Sequence, residues 1–287
     1  MSIITFWGEG REQNGQTLSA VAVATNMAIE RNSKILLLST SFDDSTIKNC
    51  FWENSVAKKT NPVVTKNSNV ATENGIEGLA KLITSNKLEP SIITDYTKVV
   101  FKNRLEIIDG FTANSADLTT NIQQYKKIQE CYVDLIKCAN RYYDIVIVDL
   151  DKMLSKQTRE AIIEMSNVNI YVFSQKLSSI NRYIELKKTN EGFFKKANIP
   201  VIGRYDKRYK YNSKNIARYL SEKKEFNRVP QNLLYMEAAE EIKVADLLLK
   251  LKNVKDKTDE NYVFMECIQD LTNNILNKLQ EMKMRLR

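Results

Sequence analysis

The segment Ser2–Ser19 reads SIITFWGEGREQNGQTLS, and it decides the fold. Its first part, Ser2–Trp7, is short and mostly apolar, which is typical of a buried strand. In Gln16–Arg31 the apolar residues recur at helical spacing. Three of the eight glycines in the chain lie between these two elements: Gly8, Gly10 and Gly15. A glycine-rich turn from a strand into a helix directs backbone N–H groups and the helix dipole at an anion, so the segment predicts a phosphate-binding loop.

Beyond this segment, short apolar runs continue to alternate with longer amphipathic ones. The expected strands are Ser2–Trp7, Lys34–Ser39, Leu105–Ile108, Tyr143–Leu150, Asn169–Ser174 and Pro200–Gly203. The expected helices are Gln16–Arg31, Gly75–Ser85, Thr119–Tyr142, Ser178–Lys195, Ser213–Lys223, Glu237–Leu251 and Asp259–Arg287. The alternation predicts an α/β fold, a doubly wound and mostly parallel sheet with helices on both faces, whose ligand site lies at the carboxyl ends of the strands. Apart from the polar stretch Lys58–Asn74 nothing indicates a boundary, so we expect one domain over 1–287.

The composition excludes several classes of chemistry. The chain has 287 residues and no histidine, which excludes imidazole catalysis and histidine metal sites. The four cysteines form no CxxC pair and are typical of reduced thiols inside the cell. No run approaches the ~20 apolar residues that a membrane-spanning helix needs, and no basic leader precedes Ile3 and Ile4. We therefore expect a cytoplasmic protein, and a peripheral contact with the inner face of the membrane stays open.

The net charge of +8 has two interpretations. A basic surface attracts the phosphates of DNA without sequence preference, or an anionic membrane surface. The alternative is an ordinary solvated surface that is rich in lysine.

The order of motifs resembles the ParA/MinD family of dimerising P-loop ATPases (SIMIBI class). The family loop Lys-Gly-Gly-x-Gly-Lys-Thr-[Thr/Ser] falls on the residues from Arg11 to Leu18, and its core falls on Gly15-Gln16-Thr17. The run YYDIVIVDLD resembles the Walker B strand, with Asp149 as its aspartate. The run VIGRYDKRYKYNSKNIARYL resembles the segment that contacts the nucleotide base. Its Arg204-Tyr205-Asp206 part is most similar to the CpaE/TadZ branch, which positions pilus or secretion machinery.

This resemblance implies a site and its ligands. ATP or ADP with Mg²⁺ is the implied cofactor, with Thr17 and Asp149 around the metal ion. The implied nucleotide-binding residues are Gly10, Arg11, Gln13, Asn14, Gly15, Gln16, Thr17, Leu18, Asp149 and Arg204. The implied partners are a second copy of the chain and proteins of a pilus, secretion or partition system.

Several positions depart from the family pattern, and they decide the expected chemistry. Gln16 replaces the Walker lysine, whose charge meets the β- and γ-phosphates. Arg11 replaces the second lysine and can still grip a phosphate bidentately. The other replacements are Glu12 and Gln13 at loop glycines, Ser39 and Ser41 at the switch I aspartates, and Gly203 at the purine-reading asparagine. Because phosphoryl transfer depends on positioned charge, we expect a degenerate Walker A site with no catalytic residue and weak or no hydrolysis.

Purely structural roles, with no ligand, stay open for several of these residues. Gly15 and Thr17 are also compatible with a plain strand-to-helix turn, and Asp149 with a carboxylate that caps a loop. Asp43 and Asp44 suit the start of a helix as well as the lost switch carboxylates. At the level of function, the alternatives are an active ParA-type ATPase in DNA partition, with Arg11 in place of the lost lysine, and a non-enzymatic basic adaptor on DNA or membrane.

The last expected helix, Asp259–Arg287, is amphipathic and ends in basic residues. Its apolar stripe consists of Val263, Ile268, Leu271, Ile275, Leu276, Leu279, Met282 and Leu286. A stripe of this length favours packing on the domain or on a partner subunit. The competing interpretation is a helix lying in an anionic membrane interface, and we expect any membrane contact to be confined to the last two turns.

Overall fold

A computed structural model describes residues 1–10, 13–52, 75–113, 115–189 and 197–285 of the chain. Eight strands in this part of the chain form one sheet in the order β3-β4-β2-β5-β1-β6-β7-β8. The strands are β1 Ser2–Trp7, β2 Ile35–Ser39, β3 Lys98–Phe101, β4 Leu105–Ile108, β5 Ile145–Asp149, β6 Val168–Phe173, β7 Ala197–Tyr205 and β8 Asn227–Pro230. Every neighbouring pair is parallel except β3 and β4, which are antiparallel. The expected doubly wound, mostly parallel α/β fold is confirmed.

Eleven α-helices lie within the described residues. They are α1 Gln16–Glu30, α2 Thr46–Phe51, α3 Ile76–Thr84, α4 Leu118–Gln129, α5 Tyr132–Ala139, α6 Lys156–Met165, α7 Leu177–Thr189, α8 Ser213–Tyr219, α9 Leu233–Glu240, α10 Val244–Leu251 and α11 Glu260–Arg285. One apolar cluster joins α1, α9, α10 and α11 to one face of the sheet. A second cluster joins α3, α4, α5, α7 and α8 to the other face. The central strands are buried on both faces, which explains their unbroken apolar runs.

The expected helix Thr119–Tyr142 is wrong, because the structure has α4 and α5 in its place. Glu130 and Cys131 keep helical backbone angles, but the Cys131 N–H donates to the Ile128 carbonyl three residues back. This tighter turn redirects the axis, so that Tyr132 and the apolar face of α5 reach the core.

The expected helix Glu237–Leu251 is also wrong, because α9 ends at Glu240 and α10 starts at Val244. Ile242 between them has a φ of 63°, a conformation that a β-branched side chain rarely adopts. Its N–H donates to the Asn49 carbonyl, and the Lys243 N–H donates to the Ala238 carbonyl. Tertiary hydrogen bonds therefore end α9 at a point where the apolar pattern of the sequence predicts that the helix goes on.

Four elements were absent from the expected set: α2, α6, β3 and β8. Strand β7 is longer than Pro200–Gly203, and β2, β5 and β6 differ from expectation by one to three residues at their ends. Helix α7 ends at Thr189, and the rest of the expected Ser178–Lys195 lies outside the described residues, as does the polar stretch Lys58–Asn74.

The C-terminal helix α11 packs against α1 and β8 rather than standing apart. Its buried face comprises Phe264, Met265, Cys267, Ile268, Leu271, Thr272, Ile275 and Leu279. Four of the eight residues of the expected stripe are therefore core, and Phe264, which the stripe left out, is fully buried. In the last described turns Met282 is half-buried and Met284 is exposed. Leu286 lies outside the described residues. No helix in the described part of the chain is both long enough and apolar enough to cross a bilayer.

Candidate nucleotide site

The loop between β1 and α1 is held by its own side chains and by neighbouring strands. Gly15 stands at the start of α1 with a φ of 77°, a left-handed conformation suited to glycine. The Asn14 amide donates to the Val172 carbonyl at 2.7 Å, and its oxygen accepts the Gln16 N–H at 3.1 Å. Asn14 thus fastens the loop to β6 and the start of α1. Its side-chain groups are engaged in these contacts.

The end of β7 closes against the same loop at Gly203. A Cβ at position 203 would lie 2.0 Å from the Asn14 carbonyl oxygen, which no side chain tolerates. The position at which the family has its purine-reading asparagine therefore has room only for glycine here. Arg204 follows with a φ of 49° and packs over Gly15.

The centre of the site is a cluster of three side chains, in which Gln16 and Thr17 contact Asp149 at the end of β5. The Gln16 amide donates to Asp149 Oδ1 at 2.7 Å and to the Leu150 carbonyl at 3.0 Å. The Thr17 hydroxyl donates to Asp149 Oδ2 at 2.8 Å. Both carboxylate oxygens of Asp149 thus receive a hydrogen bond from α1, and both bonds come from neutral groups.

Burial dominates the electrostatics of Asp149, which is 4% exposed. Desolvation raises the pKa of this carboxyl to about 6, and the bonds from Gln16 and Thr17 offset only part of that effect. The nearby charges of Asp151 and Asp44 make a smaller contribution to the same rise in pKa. Among the described residues, no cation is a main contributor to this pKa, whereas a lysine at position 16 would lower it.

These residues lie at the base of a cleft of about 420 Å³ at the carboxyl ends of the strands. In the described part of its wall, four carboxylates face two cations. The carboxylates are Asp44, Asp149, Asp151 and Glu240, and the cations are Lys152 and Arg204. The donor set Thr17 and Asp149 suits a magnesium ion, since hydroxyl and carboxylate oxygens are its preferred ligands. The described cations do not match the charge of a triphosphate, so this wall fits a charged nucleotide only in part.

The other expected nucleotide-binding residues occupy different places around the cleft. Gly10, Gln13 and Leu18 contribute to its lining. Gln13 Oε1 accepts a hydrogen bond from the Arg204 guanidinium at 3.1 Å. The Leu18 carbonyl accepts the Tyr235 hydroxyl at 2.7 Å, which links α1 to α9. Arg11, together with Glu12, lies outside the described residues.

The two serines at the switch I positions are buried at the end of β2. The Ser39 hydroxyl donates to the Ser41 oxygen at 2.9 Å, and both residues line the cleft. A Cβ on Gly110 would lie 2.2 Å from Ser41 Oγ, so the surroundings of Ser41 are crowded. Asp44 also lines the cleft, while its Oδ1 accepts the Thr46 N–H at the start of α2. Asp43 instead accepts the Ala113 N–H and does not line the cleft.

Sequence reasoning missed part of the cleft wall. The missed residues are Asp151, Lys152, Asn232, Tyr235 and Glu240. Asp151 lies two residues beyond the Walker B-like aspartate, a position that the end of a strand signals, and burial raises its pKa. The run VPQNLLYMEAAEE resembles the last loop and helix of the family, but the resemblance did not single out the residues that reach the cleft, where the Tyr235 hydroxyl bonds to the Leu18 carbonyl.

Structural comparison places the chain among known folds. No protein-family model matches the sequence, and no curated protein matches it. The ParA family ATPase from Chlorobium tepidum superposes with a TM-score of 0.63 at 16% identity, over 94% of this chain and 98% of the other. The cell division ATPase MinD from Pyrococcus furiosus gives 0.64 at 12% identity, over 96% and 98%. MinD from Pyrococcus horikoshii, complexed with Mg-ADP, gives 0.60 at 13% identity, over 95% and 94%. At these identities the likeness concerns the fold, and the chain has the fold of the ParA/MinD P-loop ATPases.

Proposed function

We propose that this chain is a ParA/MinD-like positioning or assembly protein of the CpaE/TadZ kind, which binds ATP or ADP weakly and hydrolyses it little or not at all. One observation carries the proposal: the Gln16 amide is hydrogen-bonded to Asp149 and the Leu150 carbonyl. Gln16 stands where the family has its phosphate-binding lysine, and it brings no charge. In this account the fold serves partner recruitment rather than turnover.

The absence of a carboxylate at Ser39 and Ser41 supports the same proposal. Hydrolysis of a nucleotide needs a group that orients the attacking water, and these hydroxyls bond to each other instead. When magnesium is bound in sites of this kind, it neutralises phosphate charge. In this chain Thr17 and Asp149 would hold that ion and its shell. Gly15 and the first turn of α1 would offer backbone N–H groups to the phosphates.

The alternative, an active ParA-type ATPase, is favoured by one feature of the cleft. Asp44 lines the cleft three residues beyond Ser41, and in that alternative it replaces the lost switch carboxylate. Its contacts with Thr46 at the start of α2 favour a capping role instead.

Phosphate release from Mg-ATP separates these functions. We expect wild-type turnover at background, unchanged by Thr17→Ala, because no working site exists to be damaged. Turnover typical of an ordinary ATPase that Thr17→Ala abolishes would refute the proposal. If Asp44→Asn abolished it as well while Asp43→Asn did not, the active alternative would be established.

The recruitment role also predicts a homodimer and a protein partner from a pilus or secretion system. The rim of the cleft supports the dimer, because apolar side chains of Met153, Leu233 and Leu234 are exposed beside it. Co-purification of the chain with its genomic neighbours tests the partner. Recovery of partition-complex components alone would favour a partition role instead.

A further inference from the structure

Part of the basic charge of the chain is concentrated in one short segment, Lys207–Tyr219. Its thirteen residues contain five cations, three tyrosines and no carboxylate. The whole chain has a net charge of only +8, so this segment is a local maximum of positive charge. The segment belongs to the run that resembles the family's base-contacting segment, but of that run only Arg204 lines the cleft.

The first half of the segment, the loop that follows β7, is fixed in place from inside. Gln175 is buried, and its amide donates to the Asp206 carbonyl at 3.0 Å and to the Tyr211 carbonyl at 2.8 Å. Its oxygen accepts the Asp206 N–H at 2.7 Å. All three bonds go to the backbone, so they fix the loop while Lys207, Tyr209 and Lys210 stay exposed.

The second half of the segment is helix α8, and it joins the loop in one continuous surface. The Asn215 amide donates to the Lys210 carbonyl at 2.8 Å, which ties the exposed face of α8 to the loop. Lys214 and Arg218 are one helical turn apart on that face. Asn212 caps α8 by accepting the Asn215 N–H, which fixes where the helix starts.

We name this surface the tyrosine–lysine surface. It comprises Lys207, Tyr209, Lys210, Lys214, Arg218 and Tyr219, all of which are exposed. None of its four cations forms an ion pair with a carboxylate that the structure describes. Arg208, by contrast, is paired with Asp206. Tyr209 and Tyr219 are 50% and 55% exposed, so both rings are accessible from solvent.

We propose that the tyrosine–lysine surface binds single-stranded nucleic acid. Unpaired cations attract backbone phosphates, and exposed tyrosine rings offer faces on which unpaired bases stack. A duplex buries its base faces and would use only the cations. A membrane would require exposed aliphatic side chains, whereas the one aliphatic residue with a long side chain in this segment, Ile216, is buried.

Fluorescence anisotropy with a labelled oligothymidylate of about 20 nucleotides tests the proposal, since a single-strand-binding domain covers ~4–16 nucleotides. We expect the full chain to bind this probe more tightly than a duplex of equal length. Tyr209→Ala and Tyr219→Ala should each weaken binding by about fivefold or more, whereas Tyr→Phe at either position should change it by less than about twofold. Circular dichroism checks that each variant is folded.

A second pair of variants isolates the phosphate contacts. Lys210→Gln with Lys214→Gln should reduce the slope of log K against log salt by about 1.4, because each single-strand phosphate contact contributes ~0.7. Lys126→Gln with Lys127→Gln, which removes the same charge from the exposed face of α4, should leave the slope unchanged.

Three results would overturn the proposal. The first is no binding of the oligonucleotide at low salt. The second is equal affinity for duplex with no effect of the tyrosine variants, which would indicate phosphate contacts alone. The third is binding to vesicles of phosphatidylglycerol that the tyrosine variants abolish, which would assign the surface to a membrane.

Discussion

At the scale of single residues, burial raises the pKa of Asp149 in the centre of the candidate site. This residue is buried, accepts bonds from Gln16 and Thr17, and has a pKa of about 6 in the folded chain. An ordinary aspartate in the unfolded chain titrates near ~3.9. The folded state therefore holds this proton more tightly than the unfolded state. The stability that this group contributes is fully present below pH ~4 and is lost as the pH rises through about 6.

We therefore predict that Asp149→Asn stabilises the protein at pH 7 and flattens its pH dependence. Two pKa units correspond to roughly 3 kcal/mol, so the gain in the free energy of unfolding at pH 7 should be of that order at most. Asparagine can still accept a bond from Gln16 and meet the Thr17 hydroxyl. Urea unfolding at pH 5 and pH 7 measures the change.

Asp109→Asn is the control, because burial also raises the pKa of that carboxyl, but it lies outside the cleft. Asp109→Asn should change the slope of the free energy of unfolding against pH, and it should leave nucleotide binding unchanged. An Asp149→Asn protein that is less stable than wild type at pH 7 would contradict the expected proton linkage.

The structure brings together Gln16, Thr17 and Asp149, which the sequence assigned to one nucleotide site, because a glycine-rich turn and a strand-end aspartate have fixed positions in this fold. Their hydrogen bonds were not predictable, since a glutamine has several rotamers and the direction of its amide depends on Leu150 and Asp149. The constraint on Gly203 was equally invisible, because the Asn14 carbonyl that fills the space comes from a loop 189 residues earlier in the chain.

At the scale of elements, α11 is an integral part of the core on one face of the sheet. Phe264 is fully buried there and its ring centroid lies 4.9 Å from that of Tyr235 on α9. We predict that Phe264→Ala lowers the free energy of unfolding by about 3–5 kcal/mol, because it removes a buried ring and leaves a cavity. Thermal or urea unfolding checks this value.

Met284→Ala is the matched control on the same helix, since Met284 is 74% exposed, and we expect a change within about 0.5 kcal/mol. Equal, small effects of the two substitutions would mean that α11 is detached in solution. Binding of the full chain to anionic vesicles, lost on truncation at Asn277 with the fold intact, would likewise contradict the packing of α11.

Apolar periodicity predicted the central strands and α1 well, because elements buried on both faces have no competing signal. The apolar pattern failed where tertiary contacts determine the ends of an element. The turn at Ile242 depends on a bond to the Asn49 carbonyl, and the kink between α4 and α5 has no proline or glycine to mark it. The edge strand β3 was missed because its apolar run, Val99 to Phe101, has only three residues and polar residues flank it, which is too short to indicate a buried strand.

At the scale of the whole molecule, the proposed function assigns the contact between two copies of the chain to the cleft face. Leu233 is 69% exposed at the rim of the cleft, beside Asn232 and Tyr235 in its wall. We predict a dimer at tens of micromolar in equilibrium sedimentation, and a shift towards monomer in Leu233→Asp, because a carboxylate is costly to bury in an apolar contact.

Val99→Asp on the edge strand β3 is the control, since Val99 is 60% exposed on a different part of the surface. It should leave the dimer intact. A wild-type chain that sediments only as monomer, with or without Mg-ATP, would contradict a dimer that forms across this face.

Isothermal titration of Mg-ATP into wild type and Gln16→Lys shows whether the charge missing at position 16 weakens the nucleotide site. A charge-assisted bond to phosphate is worth ~1.5–3 kcal/mol, so we predict that Gln16→Lys binds about tenfold more tightly or better. Gln16→Met, which has similar length and no charge, should bind no more tightly than wild type. Micromolar binding by wild type that Gln16→Lys does not improve would contradict the account.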